Sequence, residues 1–352
     1  MVTQNYWFPR EDYLARVEKV RAQLAAQGLD ALVAFMPETV TYLTGFFTRG
    51  YTSFQFAIIP VTGDPVLFCR DVEEYYLDAT CVFPGRVMWT DSDDRNKVAA
   101  AAITRALGPK ARIGVEMQAW PLNAARFAGL QAALPEATWT DVSQLVTVMR
   151  FIKSPAEIAV MDKAAVIADA AIEAVVRDFQ PGMMEIEVQG IAHYAMSKLG
   201  GEEPAIRTST TSGPNLRAHH PLPSRRKIEK GDVFVMDLCG SLYRYHANIA
   251  RTFAVGEPDK RWIDLVETSR VSFDRIVEEV RPGDPMEKVV EIGMAYLDSV
   301  GIAHRGWFLG GYDVGIAVPP DWVGHTYLNG RCFERADFVP GTLGYLLSFA
   351  GV

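Results

Sequence analysis

The chain is 352 residues long and 49% apolar, more than one ordinary core accommodates, so two domains are expected. Its 35 basic and 43 acidic residues give a net charge of −8, and the basic residues are scattered rather than gathered into a stripe. That pattern argues against a nucleic-acid surface and toward a small-molecule substrate.

Reading from the amino terminus, Leu14, Val17, Val20 and Leu24 recur at helical spacing between Arg10 and Gln27, and Gly28 follows, so an amphipathic helix is predicted. Short apolar runs bounded by Gly, Pro or Asp come next, at 31–35, 54–61, 65–70 and 111–116, and read as strands. Strands alternate with helices up to about Val148, the mark of an α/β domain. The opening MVTQNYWFPREDYLARVEKV holds no uninterrupted apolar leader, and no run reaches the roughly 18 apolar residues of a membrane span. Cys69, Cys81, Cys239 and Cys332 are widely spaced without a CxxC pair, which indicates neither a disulfide framework nor a zinc site. A soluble cytoplasmic protein with no membrane contact is expected.

A boundary is legible near residue 150. Ser154 suits an N-cap, Pro155 the first helical position, and Glu157 the third place of a capping box, so a long helix is predicted from there to QPGM at 180–183. A second helix is predicted from Ile186 to Leu199. GDVFVMDLCG at 231–240 reads as a strand after the Gly231-Asp232 turn, and two more helices are predicted over Lys260–Val280 and Met286–Val300.

Three separated segments then agree in order: RFIKSPAEIAVMDKAA at 150–165, TSGPNLRAHHPLPSRRKIEKGDVFVMDLCG at 211–240, and YHANIARTFAVGEP at 245–258. Together they resemble the creatinase/aminopeptidase P branch of the pita-bread superfamily. The resemblance implies an α+β protein with a small α/β creatinase-type domain over 1–150 and a pita-bread catalytic domain over 151–352. Because family members run some tens of residues further, the closing C-terminal strands are expected to be missing. It also implies a homodimer whose active site borrows residues from the partner's N-terminal domain.

Metallopeptidases of this family hold two divalent ions with two aspartates, a histidine and two glutamates. Here Asp237 matches the first aspartate, but Asn248 takes the place of the second and Tyr312, in GGYDVG, the place of the histidine. Pro319-Pro320-Asp321-Trp322 replaces the HExP stretch, and PGTLGYLLSFAGV at 340–352 carries no acid. One carboxylate cannot offset the dehydration of two hard cations, so no metal and no other cofactor is expected. The metal-free relatives are creatinase and ectoine hydrolase. GYDVGIAVPPDWVGHT at 311–326 and Tyr243-Arg244-Tyr245-His246 are more similar to ectoine hydrolase, although that pattern has glutamate where this chain has Asp237.

Both relatives cleave non-peptide C–N bonds in amidinium- or guanidinium-like substrates, chemistry that needs a nucleophile, a proton shuttle and an anion facing the cation. His220 matches the creatinase catalytic histidine, and an imidazole exchanges protons near neutrality. Asp237 pairs with the substrate cation or attacks it. Tyr312 and Asp313 are expected to orient the substrate, Asp321 and His325 to form a pocket wall, and Asn248 and His246 to line the site. Arg49, with Tyr51 on the loop that reaches across the dimer, is expected to clamp a substrate carboxylate. Structural alternatives stand beside these roles: His246 as a hydrogen-bonded brace, Asn248 as a satisfied turn amide, and Asp321 as a turn cap. Two other readings of the whole chain remain open, a metal-dependent Xaa-Pro peptidase and a catalytically silent binding protein.

Overall fold

The computed structural model describes residues 3–218, 220–257, 259–285, 287–303, 306–321, 326–328, 331–332 and 344–350. The chain divides into two compact units, Met1–Met149 and Arg150–Val352.

In the first unit, α1 (Arg10–Ala26) buries Tyr13, Val17, Val20 and Leu24, a stripe spaced four, three and four residues apart, and the chain leaves it through Gly28 at φ +68. A six-stranded sheet follows, built from β1 (Ala31–Ala34), β2 (Phe56–Pro60), β3 (Val66–Arg70), β4 (Gly85–Trp89), β5 (Arg112–Val115) and β6 (Thr138–Asp141) in the order β4-β3-β2-β1-β5-β6. The middle strands pair antiparallel and the outer ones parallel. Continuous burial of β1 and β2 explains their unbroken apolar runs. Helices α2 (Pro37–Thr44), α3 (Glu74–Thr80), α4 (Arg95–Leu107) and α5 (Ala124–Ala133) complete the unit, and α6 (Ser143–Phe151) crosses its end. The buried Glu116 carboxylate accepts from the Phe35 and Met36 N–H groups and the Thr39 hydroxyl, at 2.9, 2.7 and 2.6 Å, and so caps α2.

The second unit opens with the capping box read from the sequence. Ser154 Oγ accepts from the Glu157 N–H at 3.3 Å, Glu157 Oε2 accepts from the Ser154 N–H at 2.8 Å, and Pro155 starts α7 (Pro155–Asp178). With α8 (Glu185–Lys198) it covers one face of a three-stranded antiparallel sheet, β7 (Ser209–Ser212), β8 (Val233–Leu242) and β9 (Tyr245–Ala254), in the order β7-β8-β9. Phe234, Met236 and Leu238 point into the helices, joining Ala168, Ala171 and Val175 in the core. The same alternation brings Gly240 under α7, where a Cβ would stand 1.9 Å from the Ala164 carbonyl oxygen. Helices α9 (Lys260–Glu279) and α10 (Glu287–Ser299) follow within a residue of their predicted bounds. A second sheet, among the described residues, holds β10 (Gly306–Asp313), β11 (Thr326–Leu328), β12 (Arg331–Cys332) and β13 (Gly344–Ala350) in the order β12-β11-β10-β13. The segment after β10 runs back along the β8–β9 hairpin: the His246 N–H donates to Gly315 O at 3.0 Å, and the Ala317 N–H to Arg244 O at 2.8 Å. No helix among the described residues is long and apolar enough to cross a membrane.

Candidate active site

Because Phe234, Met236 and Leu238 face the helices, Asp237 and Cys239 face the other side of β8. In the β8–β9 register Asp237 lies opposite Ala250 and Cys239 opposite Asn248, so Asp237 and Asn248 are diagonal neighbours on one face. Asn248 Nδ2 donates to Asp237 Oδ1 at 2.9 Å. That bond fixes which way the amide points, since an ionised carboxylate accepts and does not donate. It leaves Asn248 Oδ1 buried without a partner. Cys239, also against Asn248, is buried, and burial holds its thiol protonated by pushing its pKa well up.

Burial raises the Asp237 carboxyl from the ordinary 3.8 to about 6, against the lowering effects of the Asn248 bond and of the charge of His220. The structure therefore brings three predicted residues together: Asp237 and Asn248 by a direct bond, and His220 within electrostatic reach. His220 itself is exposed, on the irregular segment between β7 and β8.

The other expected residues are placed differently. His246 is fully buried, with Nε2 accepting from the Ala205 N–H at 3.0 Å and Nδ1 against Arg244 O at 2.9 Å. Burial, aided by the Arg244 charge, lowers its pKa to about 3, so the ring is a neutral brace. Both nitrogens are spent on backbone groups, the arrangement of the structural alternative to a site-lining role. Asp313 is buried and forms an ion pair with Lys153 Nζ at 3.2 Å, with Lys153 at 1% side-chain exposure also donating to Phe151 O at 3.1 Å. One oxygen of its carboxylate is thus engaged from within the fold. Asp321 is exposed and its N–H donates to Val318 O at 3.3 Å, closing a turn, which again favours the structural role over the pocket wall. Tyr312 is buried at the end of β10, opposite Thr326 and Tyr345. His325 lies outside the described residues. Arg49 and Tyr51 belong to the amino-terminal unit, on a short helical turn over Arg49–Thr52, with Tyr51 stacked on Phe47 at 5.8 Å between ring centres.

In the second unit, the buried charges of Lys153 and Glu185 are not legible in the sequence. Lys153 sits in the quoted RFIKSP stretch, but no local pattern marks a lysine whose partner lies 160 residues away. Glu185 opens α8 and is fully buried, although a glutamate in a first helical turn is ordinarily exposed.

The donors around Asp237 do not suit a pair of divalent ions. Its diagonal neighbour is a neutral amide, the adjacent thiol is held protonated, and among the described residues no group of three or more His, Cys, Asp or Glu side chains is placed to hold a metal ion.

Residues 159–340 match the sequence profile of metallopeptidase family M24, and residues 16–152 that of the creatinase/prolidase N-terminal domain. The first match spans more than half of the 352 residues, and the chain belongs to metallopeptidase family M24. The fold is thus an amino-terminal creatinase-type domain followed by a pita-bread domain. An uncharacterized hydrolase/peptidase of Sinorhizobium fredii is 29% identical, with 97% of this chain and 89% of that protein covered. Ectoine hydrolase of Halomonas elongata is 26% identical over 97% of this chain and 90% of its own length. A Xaa-Pro dipeptidase of Pyrococcus horikoshii reaches 33% identity, over 50% of each chain. In three dimensions, the prolidase of Thermococcus sibiricus shares the fold at a TM-score of 0.80 and 23% identity, with 96% of this chain and 97% of that one covered.

Proposed function

We propose that this protein is a metal-independent hydrolase that breaks a C–N bond in a small amidine-like, guanidine-like or cyclic compatible-solute substrate. One observation carries the reading: where a second carboxylate would complete a paired metal site, Asn248 donates to Asp237 and leaves its own carbonyl oxygen as a buried, unpartnered acceptor. The Asn248 N–H occupies one lone pair of the carboxylate, and the acceptors that remain, the rest of the Asp237 carboxylate and Asn248 Oδ1, suit a flat cation carrying several N–H groups. Bringing in such a cation favours the ionised form of Asp237 and gives the orphaned oxygen a donor.

In the reaction, Asp237 holds the amidinium and His220 moves the proton. The imidazole takes a proton from water as the water oxygen bonds to the electrophilic carbon, then returns it to the departing nitrogen as the C–N bond breaks, so one water is added across that bond overall. An attack by Asp237 itself gives the same net reaction: its oxygen bonds to the electrophilic carbon, the amine departs with the proton from His220 to leave an O-acyl imidate or isourea, and water then opens that bond. The 26% identity to ectoine hydrolase over nearly the whole chain supports the substrate class. Arg49 and Tyr51 complete the proposal as residues lent by a second protomer, Arg49 to a substrate carboxylate.

A panel of ectoine, hydroxyectoine, creatine, guanidino acids and Xaa-Pro dipeptides tests the assignment. With the solute that is turned over, His220→Ala should lower kcat by roughly 100-fold or more while leaving Kd within about threefold. A variant with full kcat means that another group moves the proton. The second reading, a Xaa-Pro dipeptidase, is favoured by the 33% identity over half of the chain to the Pyrococcus horikoshii enzyme. Hydrolysis confined to the dipeptides would establish it.

A further inference from the structure

We infer that Glu185 is a positioning residue for His220: its single carboxylate gathers both ends of the segment that carries the histidine. Oε1 accepts from the Ser212 N–H at 2.8 Å and the Ser212 hydroxyl at 2.7 Å, at the end of β7. Oε2 accepts from the Ser224 N–H at 2.9 Å and the Ser224 hydroxyl at 2.6 Å, on the far side of His220. The Asn215 amide lies between the two oxygens, at 3.3 Å from Oε1 and 3.5 Å from Oε2. The helix backbone repeats the grip, since the Glu185 N–H donates to Arg226 O at 3.0 Å and the Ile186 N–H to Ser224 O at 3.2 Å.

Behind this neck stands Arg226, which binds Asp232 through two bonds at 2.7 and 3.0 Å and donates to the Ser212 hydroxyl at 2.7 Å. Ser212 thus receives a proton from the guanidinium side and gives one to Glu185, which fixes its hydroxyl direction. A fully buried carboxylate is costly unless its lone pairs are filled, and here five donors converge on it.

The arrangement matters because His220 is exposed and makes up part of no helix or strand. Where the two ends of its segment are held is one of the constraints on its place near Asp237. Ser209, three residues before Ser212 on β7, pairs with Asp237 on β8, so the neck is referenced to the strand that carries the acid. Pro214, Pro221 and Pro223 stiffen the span between the ends and carry the constraint at the neck toward His220. A glutamine at 185 presents N–H groups to donors that need an acceptor, and the neck loosens on one side.

The inference rests on the reading of His220 as the proton shuttle, and two measurements separate the two. The first follows the His220 ring C–H resonance against pH, with no substrate, in the wild type, Glu185→Gln and Ser224→Ala. The wild-type resonance should sit apart from that of a free histidine because Asp237 is near; that offset should vanish in E185Q and shrink in S224A, and amide exchange over 213–223 should quicken at least tenfold. Unchanged curves and unchanged exchange in both variants overturn the inference. Should E185Q fail to fold, S224A, which removes one hydroxyl, decides by the same criteria. The second measurement is turnover: kcat should fall about 10- to 100-fold in E185Q with KM within about threefold, the cost of a displacement of about 1 Å. Disordering of His220 without any change in kcat would leave the neck in place and sink the shuttle assignment instead.

Discussion

Asp237 has the most telling electrostatics of any residue in the unit. Its pKa of about 6 makes the working, ionised form dominant only above that pH, so kcat/KM should climb as pH rises through about 6. Asp237→Asn should abolish that limb and weaken binding of any cationic substrate; a variant with full affinity and the same pH limb would show that the carboxylate never meets the ligand. Stability runs the opposite way. A carboxyl raised in the folded state from 3.8 to about 6 stabilises the fold fully below the lower value and loses that contribution as pH passes the upper one. The difference is about 3 kcal/mol. Asp237→Asn is therefore expected to melt higher than the wild type at pH 8 and to lose that advantage near pH 4, which thermal unfolding at the two pH values checks. Such a group, kept at a cost to stability, is what a binding or catalytic role accounts for.

At the level of elements, the strand and the long helix impose the site. Gly240 lets β8 pass beneath the α7 backbone, and that close approach sets which face Asp237 occupies. Gly240→Ala forces the two apart and should destabilise by roughly 1–3 kcal/mol or more, read from urea unfolding; a variant within about 0.5 kcal/mol of the wild type would show that α7 can move. Lys153→Met strips the buried Asp313 of its cation and should cost roughly 3–5 kcal/mol, with Asp313→Asn restoring part of it. An additive double variant would deny the pairing.

These elements also mark what the sequence could and could not disclose. The Ser154-Pro155-Glu157 box and the alternation of VFVMDLCG are local patterns, each produced by the chemistry of adjacent residues, and both recur in the fold. Asp237 beside Asn248 followed from a hairpin whose pairing depends on an eleven-residue offset. Lys153 with Asp313 joins opposite ends of the domain, and His246 accepts from Ala205, 41 residues earlier; neither is written in any window of the chain. A histidine in a motif-rich stretch reads as functional until its ring nitrogens are found on backbone groups.

On the scale of the whole molecule, the first unit repeats the creatinase/prolidase amino-terminal domain and the second carries the M24 fold, yet the acidic set of a metallopeptidase is not assembled among the described residues. What the fold retains is a sheet face, one acid raised by burial, one amide turned to meet it, and an imidazole on a segment held at its neck. The decisive measurement is turnover of the amidine and guanidine panel before and after exhaustive chelation, with manganese, cobalt or zinc added back. The account predicts the same kcat with and without chelator and no gain from any added ion. Activity that disappears on chelation and returns with a divalent ion would contradict it.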